Sequence, residues 1–138
     1  MTDWRAFLSI AGEHLRKCNR NRPSEWSSAG SAPARRTWCS WTTFDRLVRD
    51  AGYWTAELPD EGELGADGTA DFGVWDQPFS YSSIAHVVIP REFLEEQSSS
   101  TGYFAWIPQQ DIDGLSEKLK AAGIEHRASR YALEIKLY

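Results

Sequence analysis

The hydrophobic positions near the N-terminus repeat with the period of an α-helix. They fall three and four residues apart, which places them on one helix face, and they comprise Trp4, Phe7, Leu8, Ala11, Leu15 and Cys18. Thr2 is positioned to cap this helix, with Asp3 in its first turn. We expect Cys18 to pack in the core as a small hydrophobe, with His14 at the edge of the apolar stripe.

Residue types that are typical of helix ends predict three further helices. Thr42 or Thr43 precedes a short amphipathic run that a glycine ends, and Asp111 precedes a longer run that also ends at glycine. Pro90 opens another short helix, because proline is tolerated at the first helical position. These helices are predicted within residues 44–51, 91–96 and 112–122.

Apolar and alternating runs predict the strands. Residues 82–89 form the most apolar run and are typical of an interior strand, whereas 57–76 are predicted to form a hairpin with acidic side chains at its tip. Residues 124–138 form either one long bent strand or a hairpin that turns near Ser129. The remaining strands are predicted at 37–41, 53–58 and 103–107. A strand, a helix and a strand between 103 and 137 would form a right-handed crossover if the strands were parallel.

Together these elements predict a single α+β domain over residues 1–138. We expect a mixed or mainly antiparallel sheet of about five strands, with the N- and C-terminal helices packed on one face. Hydrophobic residues make up 41% of the 138, and eighteen are aromatic, so the chain can bury a core of its own. Residues 19–36 follow neither period and are rich in Ser, Pro, Gly and Arg, which predicts a long exposed connection.

Charge is divided unevenly along the chain. Residues 1–49 carry nine Arg or Lys against four acids, a net charge of +5, and the remainder carries six against sixteen, a net charge of −10. Residues 57–76, here called the acidic segment, contain seven acids and no base. These acids are Glu57, Asp60, Glu61, Glu63, Asp67, Asp71 and Asp76. A local excess of one sign speeds association with an oppositely charged partner.

The tryptophans divide into two groups. Trp4, Trp54, Trp75 and Trp106 fit core or half-buried faces of their predicted elements. In contrast, Trp26, Trp38 and Trp41 surround the polar connection, and Trp contributes strongly to binding at protein interfaces. We therefore predict that these three tryptophans and the seven acids of the acidic segment bind a protein partner.

Motifs for catalysis, metals and cofactors are lacking. The three His and two Cys residues are scattered, and only His14 and Cys18 are spaced as neighbours on a helix, so no metal site is predicted. The sequence contains no glycine-rich phosphate loop and no nucleophile motif, so we expect no cofactor and no catalytic residue. The N-terminus lacks a leader-like apolar core, and no run is long enough to span a membrane, which favours a cytoplasmic protein.

One acid–base set stays open as an alternative. His126, Arg127, Arg130 and Glu134 lie in the C-terminal strands and could meet His86 if the strands are neighbours. A His pair with Arg could cleave RNA by general acid–base chemistry. The competing interpretation is that these charged residues alternate outward on a half-exposed strand. Basic residues near Trp26 could also bind nucleic acid, but a pI of about 5.2 argues against it.

In size, α+β layout, Trp-rich composition and the run ELPDEGELGADGTADFGVWD at 57–76, the chain resembles the small acidic immunity proteins that bacteria use to neutralise a toxin. The resemblance implies a non-catalytic inhibitor whose acidic surface covers the cleft of a toxin domain with a basic surface, such as a nuclease. The alternatives are a small hydrolase or ribonuclease, and an adaptor or ligand-binding module.

Overall fold

The computed structural model describes residues 2–19, 36–100 and 102–138. Three α-helices lie in these ranges: α1 (Trp4–Cys18), α2 (Phe44–Val48) and α3 (Ile112–Ala121). Nine strands accompany them: β1 (Cys39–Thr43), β2 (Trp54–Ala56), β3 (Gly68–Thr69), β4 (Phe79–Ser80), β5 (Ile84–Pro90), β6 (Glu95–Ser99), β7 (Gly102–Trp106), β8 (Arg127–Ala128) and β9 (Ala132–Lys136).

The main sheet has five antiparallel strands in the order β2-β1-β5-β9-β8. Trp41 lies opposite Val87, and Val87 lies opposite Ile135, so these side chains share one face of the sheet. All three are buried. The predicted α+β class and five-stranded sheet are therefore confirmed, and the most apolar run forms the central strand.

Buried apolar residues of α1, α3 and the inner sheet face form one core cluster. Asp3 caps α1 by accepting a hydrogen bond from the Ala6 N–H, so the cap lies one residue later than predicted. Asp111 caps α3 as expected, through the Gly114 N–H. Cys18 was expected in the core but is exposed, whereas His14 is buried, because Leu15 fills the core side of the end of α1 and His14 contacts Asp111 at the start of α3.

The predicted helix at 91–96 is wrong. Glu95–Ser99 instead form β6, which pairs with β7 in a separate two-stranded sheet. Cross-strand hydrogen bonding to residues 102–106 overrides the local helix signal of the proline and glutamates. Since β7 belongs to this second sheet, it is not joined to β9 by a parallel crossover.

The acidic segment does not form the predicted hairpin over its length, although an isolated antiparallel bridge joins Leu64 and Thr69 around a turn. It contains a short 3-10 helix at Glu61–Glu63, and β3 pairs with β4 beyond its end. Phe72 and Val74 are buried and their neighbours Gly73 and Trp75 are exposed, as the alternation predicted, but no strand spans these described residues. Turn bonds explain the difference: Thr69 Oγ1 donates to the Asp71 carbonyl, and Asp71 Oδ1 accepts from the Gly73 N–H.

The structure decides between the two alternatives for residues 124–138 and describes only the ends of the connection at 19–36. Residues 127–136 form a hairpin, in which Ser129 Oγ accepts hydrogen bonds from the N–H groups of Tyr131 and Ala132. The predicted exposed connection falls mostly outside the described residues. Its two described ends meet, since Asn19 Nδ2 donates to the Arg36 carbonyl at 2.9 Å. None of the described helices has the length and apolar character that crossing a membrane requires.

Candidate functional site

The acidic segment borders a groove of about 430 Å³, here called the acidic groove. Four of its predicted partner-binding carboxylates line the groove, together with Trp38 and two arginines that the sequence did not single out. The side chains are Glu57, Asp60, Glu63, Asp71, Trp38, Arg16 and Arg36. The tertiary structure thus brings the predicted acids and one predicted tryptophan into a single concave surface.

Arg16 holds the acidic segment against α1. Its guanidinium donates to the carbonyl oxygens of Leu58 and Pro59, at 2.8 and 3.0 Å, and lies 3.4 Å from an Asp60 carboxylate oxygen. Arg16 lies in the last turn of α1, where the helix dipole also favours a cation. The arginine is therefore occupied by the segment's own backbone.

Arg36 is engaged in a similar way on the other side of the groove. It lies 2.9 Å from a carboxylate oxygen of Glu95, which is buried, and 3.7 Å from Glu57. Among the described residues, no Lys or Arg lies within 4.0 Å of the carboxylates of Glu63 or Asp71. The groove consequently keeps uncompensated negative charge.

The remaining predicted acids extend the negative surface outside the groove. Glu61 accepts a hydrogen bond from Ser9 Oγ at 2.7 Å, which fixes it to α1. Asp67 and Asp76 are exposed. All seven predicted acids therefore lie on one chain segment, but only four face the concave surface.

A strained turn ends the acidic segment. Gly73 has φ 78°, and a Cβ there would lie 2.5 Å from the Cβ of Ala56. Trp75 and Asp76 follow with φ 54° and 57°, a left-handed conformation that costs non-glycine residues energy. The Trp75 side chain is 91% exposed, contrary to the expected core or half-buried position. Sequence pattern could not identify it, because its apolar neighbours at 72 and 74 predicted a strand.

The three tryptophans that were predicted to bind a partner have different outcomes. Trp41 is fully buried, so its assignment to a partner-binding surface is wrong. Its ring fills the space under the acidic segment and contacts Trp54, Phe72 and Phe79. Trp38 is half-buried and stacks on Phe93 with ring centroids 5.2 Å apart. Trp26 lies outside the described residues.

The outer sheet face carries part of the acid–base set. His86 Nε2 lies 3.3 Å from Glu134 Oε2, and the Tyr53 hydroxyl lies 2.5 Å from His86 Nδ1. The Tyr138 hydroxyl is 2.5 Å from that of Tyr53. Burial lowers the pKa of His86, although the hydrogen bond to Glu134 opposes the shift. Burial, with the Tyr138 hydrogen bond, raises the pKa of Tyr53 to about 12.

The other members of the set are engaged elsewhere. His126 Nε2 lies 2.7 Å from Ser116 Oγ, and its Nδ1 lies 2.9 Å from the Ile124 carbonyl oxygen. Arg127 lies beside Glu134 in the strand register but is exposed, and Arg130 lies over the Tyr131 ring. The structure therefore joins His86 to Glu134 and does not assemble a His pair with Arg.

No protein-family model, curated protein or solved structure matches the chain.

Proposed function

We propose that this chain is a non-catalytic protein-binding inhibitor of the immunity type. It docks its acidic groove on a basic surface of a toxin domain in the cytoplasm. The observation that carries the proposal is the concave surface in which Glu63 and Asp71 lack a cationic partner among the described residues while Trp38 forms part of the wall.

Uncompensated carboxylates explain the choice of partner. Like charges gathered in a groove repel one another, and a Lys- or Arg-bearing surface relieves that repulsion on docking. Such a field also steers a basic partner during encounter and raises the association rate. Arg16 and Arg36 lie within 4.0 Å of Asp60 and Glu57, so two of the four groove acids have an arginine partner and the excess negative charge rests on Glu63 and Asp71.

Aromatic side chains supply the apolar part of the contact. Trp38 lies in the groove, and Trp75 projects from the strained turn two residues after Gly73, which also lines the groove. Trp is enriched among the residues that dominate binding energy, and its ring face attracts Lys and Arg. Charge and aromatic surface therefore favour the same kind of partner.

The test is binding to the product of the neighbouring gene, measured by surface plasmon resonance together with inhibition of that product's activity. The probe variant, here called the groove variant, combines Glu63→Lys in the groove with Asp67→Lys on the negative surface beside it; neither carboxylate makes a hydrogen bond or an ion pair within the described residues. A control variant carries the same charge change at Glu117 and Glu125, which are exposed on or after α3.

We expect the groove variant to lower the association rate by about tenfold or more and the control variant by less than about twofold. Equal association rates for both variants would contradict docking through the groove. Binding without inhibition of the partner would instead indicate an adaptor.

A ribonuclease is the second candidate, favoured by the contact between His86 and Glu134 on the outer sheet face. In that case one of Glu134 and His86 would take the proton of an RNA 2′-hydroxyl as the base, and the other would protonate the departing 5′-oxygen as the acid. RNA cleavage by the purified chain that is lost in His86→Gln and Glu134→Gln variants would support it. On the inhibitor proposal, wild type and both variants leave RNA intact.

A further inference from the structure

A cysteine, a histidine and an aspartate meet where the end of α1 reaches the start of α3. His14 Nδ1 lies 3.9 Å from Cys18 Sγ, and His14 Nε2 lies 2.8 Å from Asp111 Oδ2. The His14 side chain is only 7% exposed, whereas Cys18 is exposed. The thiol therefore lies at the surface, and its sulfur, a ring nitrogen of the buried imidazole and a carboxylate oxygen lie within 4.8 Å of one another.

The carboxylate determines which nitrogen of His14 carries the proton. An ionised carboxylate only accepts hydrogen bonds, so His14 Nε2 donates to Asp111 and its Nδ1 keeps a free lone pair. The Cys18 sulfur lies 3.9 Å from this nitrogen, within reach for proton transfer. The thiol can consequently pass its proton to Nδ1, which leaves a thiolate beside an imidazolium that Asp111 stabilises.

The same geometry argues against a metal ion as the occupant. The ligand atoms of these three residues lie within 4.8 Å of one another, close enough for ligation in principle. However, His14 Nε2 and Asp111 Oδ2 are 2.8 Å apart, which is a hydrogen-bond distance. An ion held by these two atoms would replace that hydrogen bond and push them apart, since each ligand lies about 2.0–2.2 Å from zinc.

The surrounding residues hold the carboxylate and imidazole in place. Asp111 Oδ1 accepts from the Gly114 N–H, and the Asp111 N–H donates to Asn19 Oδ1. Gly114 is required for this approach, because a Cβ there would collide with Asp111 Oδ2 and lie 2.8 Å from His14 Nε2. The arrangement depends on a residue without a side chain at this one position.

We propose that Cys18 is a reactive thiol that undergoes exchange with low-molecular-weight disulfides. The thiol gives its proton to His14 Nδ1, and the thiolate attacks one sulfur of the small disulfide. A new S–S bond forms as the old one breaks, and the departing thiolate takes the proton from His14. Cys18 is thereby oxidised to a mixed disulfide, and the other half of the reagent is reduced to a thiol.

Two features make this reactivity specific to Cys18. Cys18 is the last residue of α1, where the helix dipole opposes a negative charge, so a thiolate there needs the adjacent imidazolium. Cys39 is fully buried, and burial raises the pKa of its thiol. Cys39 is therefore an internal control that should stay unmodified.

The test follows mixed-disulfide formation with oxidised glutathione at pH 7, by intact mass and by peptide mapping of the folded protein. We expect Cys18 to react and Cys39 to stay unmodified. His14→Gln should slow the reaction of Cys18 by roughly tenfold or more, because it removes the proton acceptor. Asp111→Asn, which keeps an oxygen to cap α3, should slow it by a smaller factor, and the control His126→Gln should leave it unchanged.

Rates within twofold for wild type and a folded His14→Gln variant would overturn the proposal. If His14→Gln does not fold, the Asp111→Asn variant decides, and a rate equal to that of wild type overturns it. Stoichiometric zinc binding that requires His14, Cys18 and Asp111 together would also overturn it, in favour of a metal site.

Discussion

The ring of Trp41 stacks on that of Phe72, with centroids 4.1 Å apart and planes at 15°, and the Trp41 indole N–H donates to the Phe72 carbonyl oxygen at 3.2 Å. Trp41 belongs to β1 and Phe72 to the acidic segment. One buried pair thus joins the sheet to the segment that bears the groove carboxylates. Since both rings are fully buried, the position of the acidic groove depends on their packing.

Removing the Phe72 ring should destabilise the fold strongly. Phe72→Ala leaves a cavity against Trp41, and we expect the free energy of unfolding to fall by about 3–5 kcal/mol. Urea unfolding followed by tryptophan fluorescence measures it. The control is Phe44→Ala, since Phe44 is 39% exposed and should cost much less. Equal losses for both variants would show that the stacked pair is not a core contact.

Gly73→Ala should destabilise the protein more than Gly52→Ala. Both glycines have a left-handed φ, 78° and 80°, so alanine is strained at either position. Only at Gly73 would the new Cβ also meet another atom, the Cβ of Ala56, whereas nothing lies within 4 Å at Gly52. We expect a further loss of about 1–2 kcal/mol at Gly73. Melting temperatures of the two variants that coincide would contradict the close approach.

Stability should decline as the pH falls below 6.5 in part because of His86. The fold lowers the pKa of this imidazole from its ordinary value of 6.5, mainly through burial. The unfolded chain therefore takes up a proton at a higher pH than the folded chain does, and stability is lost as the pH falls through that window. Comparing urea midpoints at pH 7.5 and 5.5 for wild type and His86→Gln checks this. The variant should lose less stability on acidification, and an equal loss would contradict the assignment.

Tyr53 should ionise only at strongly alkaline pH. Burial and the hydrogen bond with Tyr138 raise its pKa to about 12, above the ordinary value of 10. Tyr138→Phe removes that hydrogen-bond partner, so the pKa of Tyr53 should move toward 10. Absorbance at 295 nm during alkaline titration gives the measurement, with Tyr131→Phe as a control that removes an exposed phenol elsewhere. An unchanged titration of Tyr53 in Tyr138→Phe would contradict the contact.

Partner binding should depend on salt and on Trp75 in different ways. Raising ionic strength screens exposed carboxylates, so the association rate of wild type should fall.

Trp75→Ala should mainly raise the dissociation rate, because it removes an exposed aromatic contact without changing charge. It should leave urea stability within about 0.5 kcal/mol of wild type, since the side chain is exposed. A dissociation rate equal to that of wild type would remove Trp75 from the interface.

Local patterns in the sequence were sufficient for the two longer helices and the central strand. The spacing of Trp4, Phe7 and Leu8 and the cap at Asp111 involve residues a few positions apart, so α1 and α3 can be predicted without knowing where the rest of the chain lies. The same holds for the apolar run that became β5. Where a distant strand competed with a local signal, as at residues 91–96, the local pattern gave the wrong element.

The acid content of the acidic segment is likewise a property of the sequence, but the shape of its surface is not. Arg16, which holds the segment to α1, lies 42 and 43 residues before the carbonyls that it binds, at Leu58 and Pro59. The contact of His14 with Asp111 spans 97 residues. Such pairings depend on how helices and strands pack, which no local spacing specifies. Tertiary packing alone therefore decided which acids face the groove and that Trp41, predicted to bind a partner, is buried. It also decided that a thiol, an imidazole and a carboxylate meet.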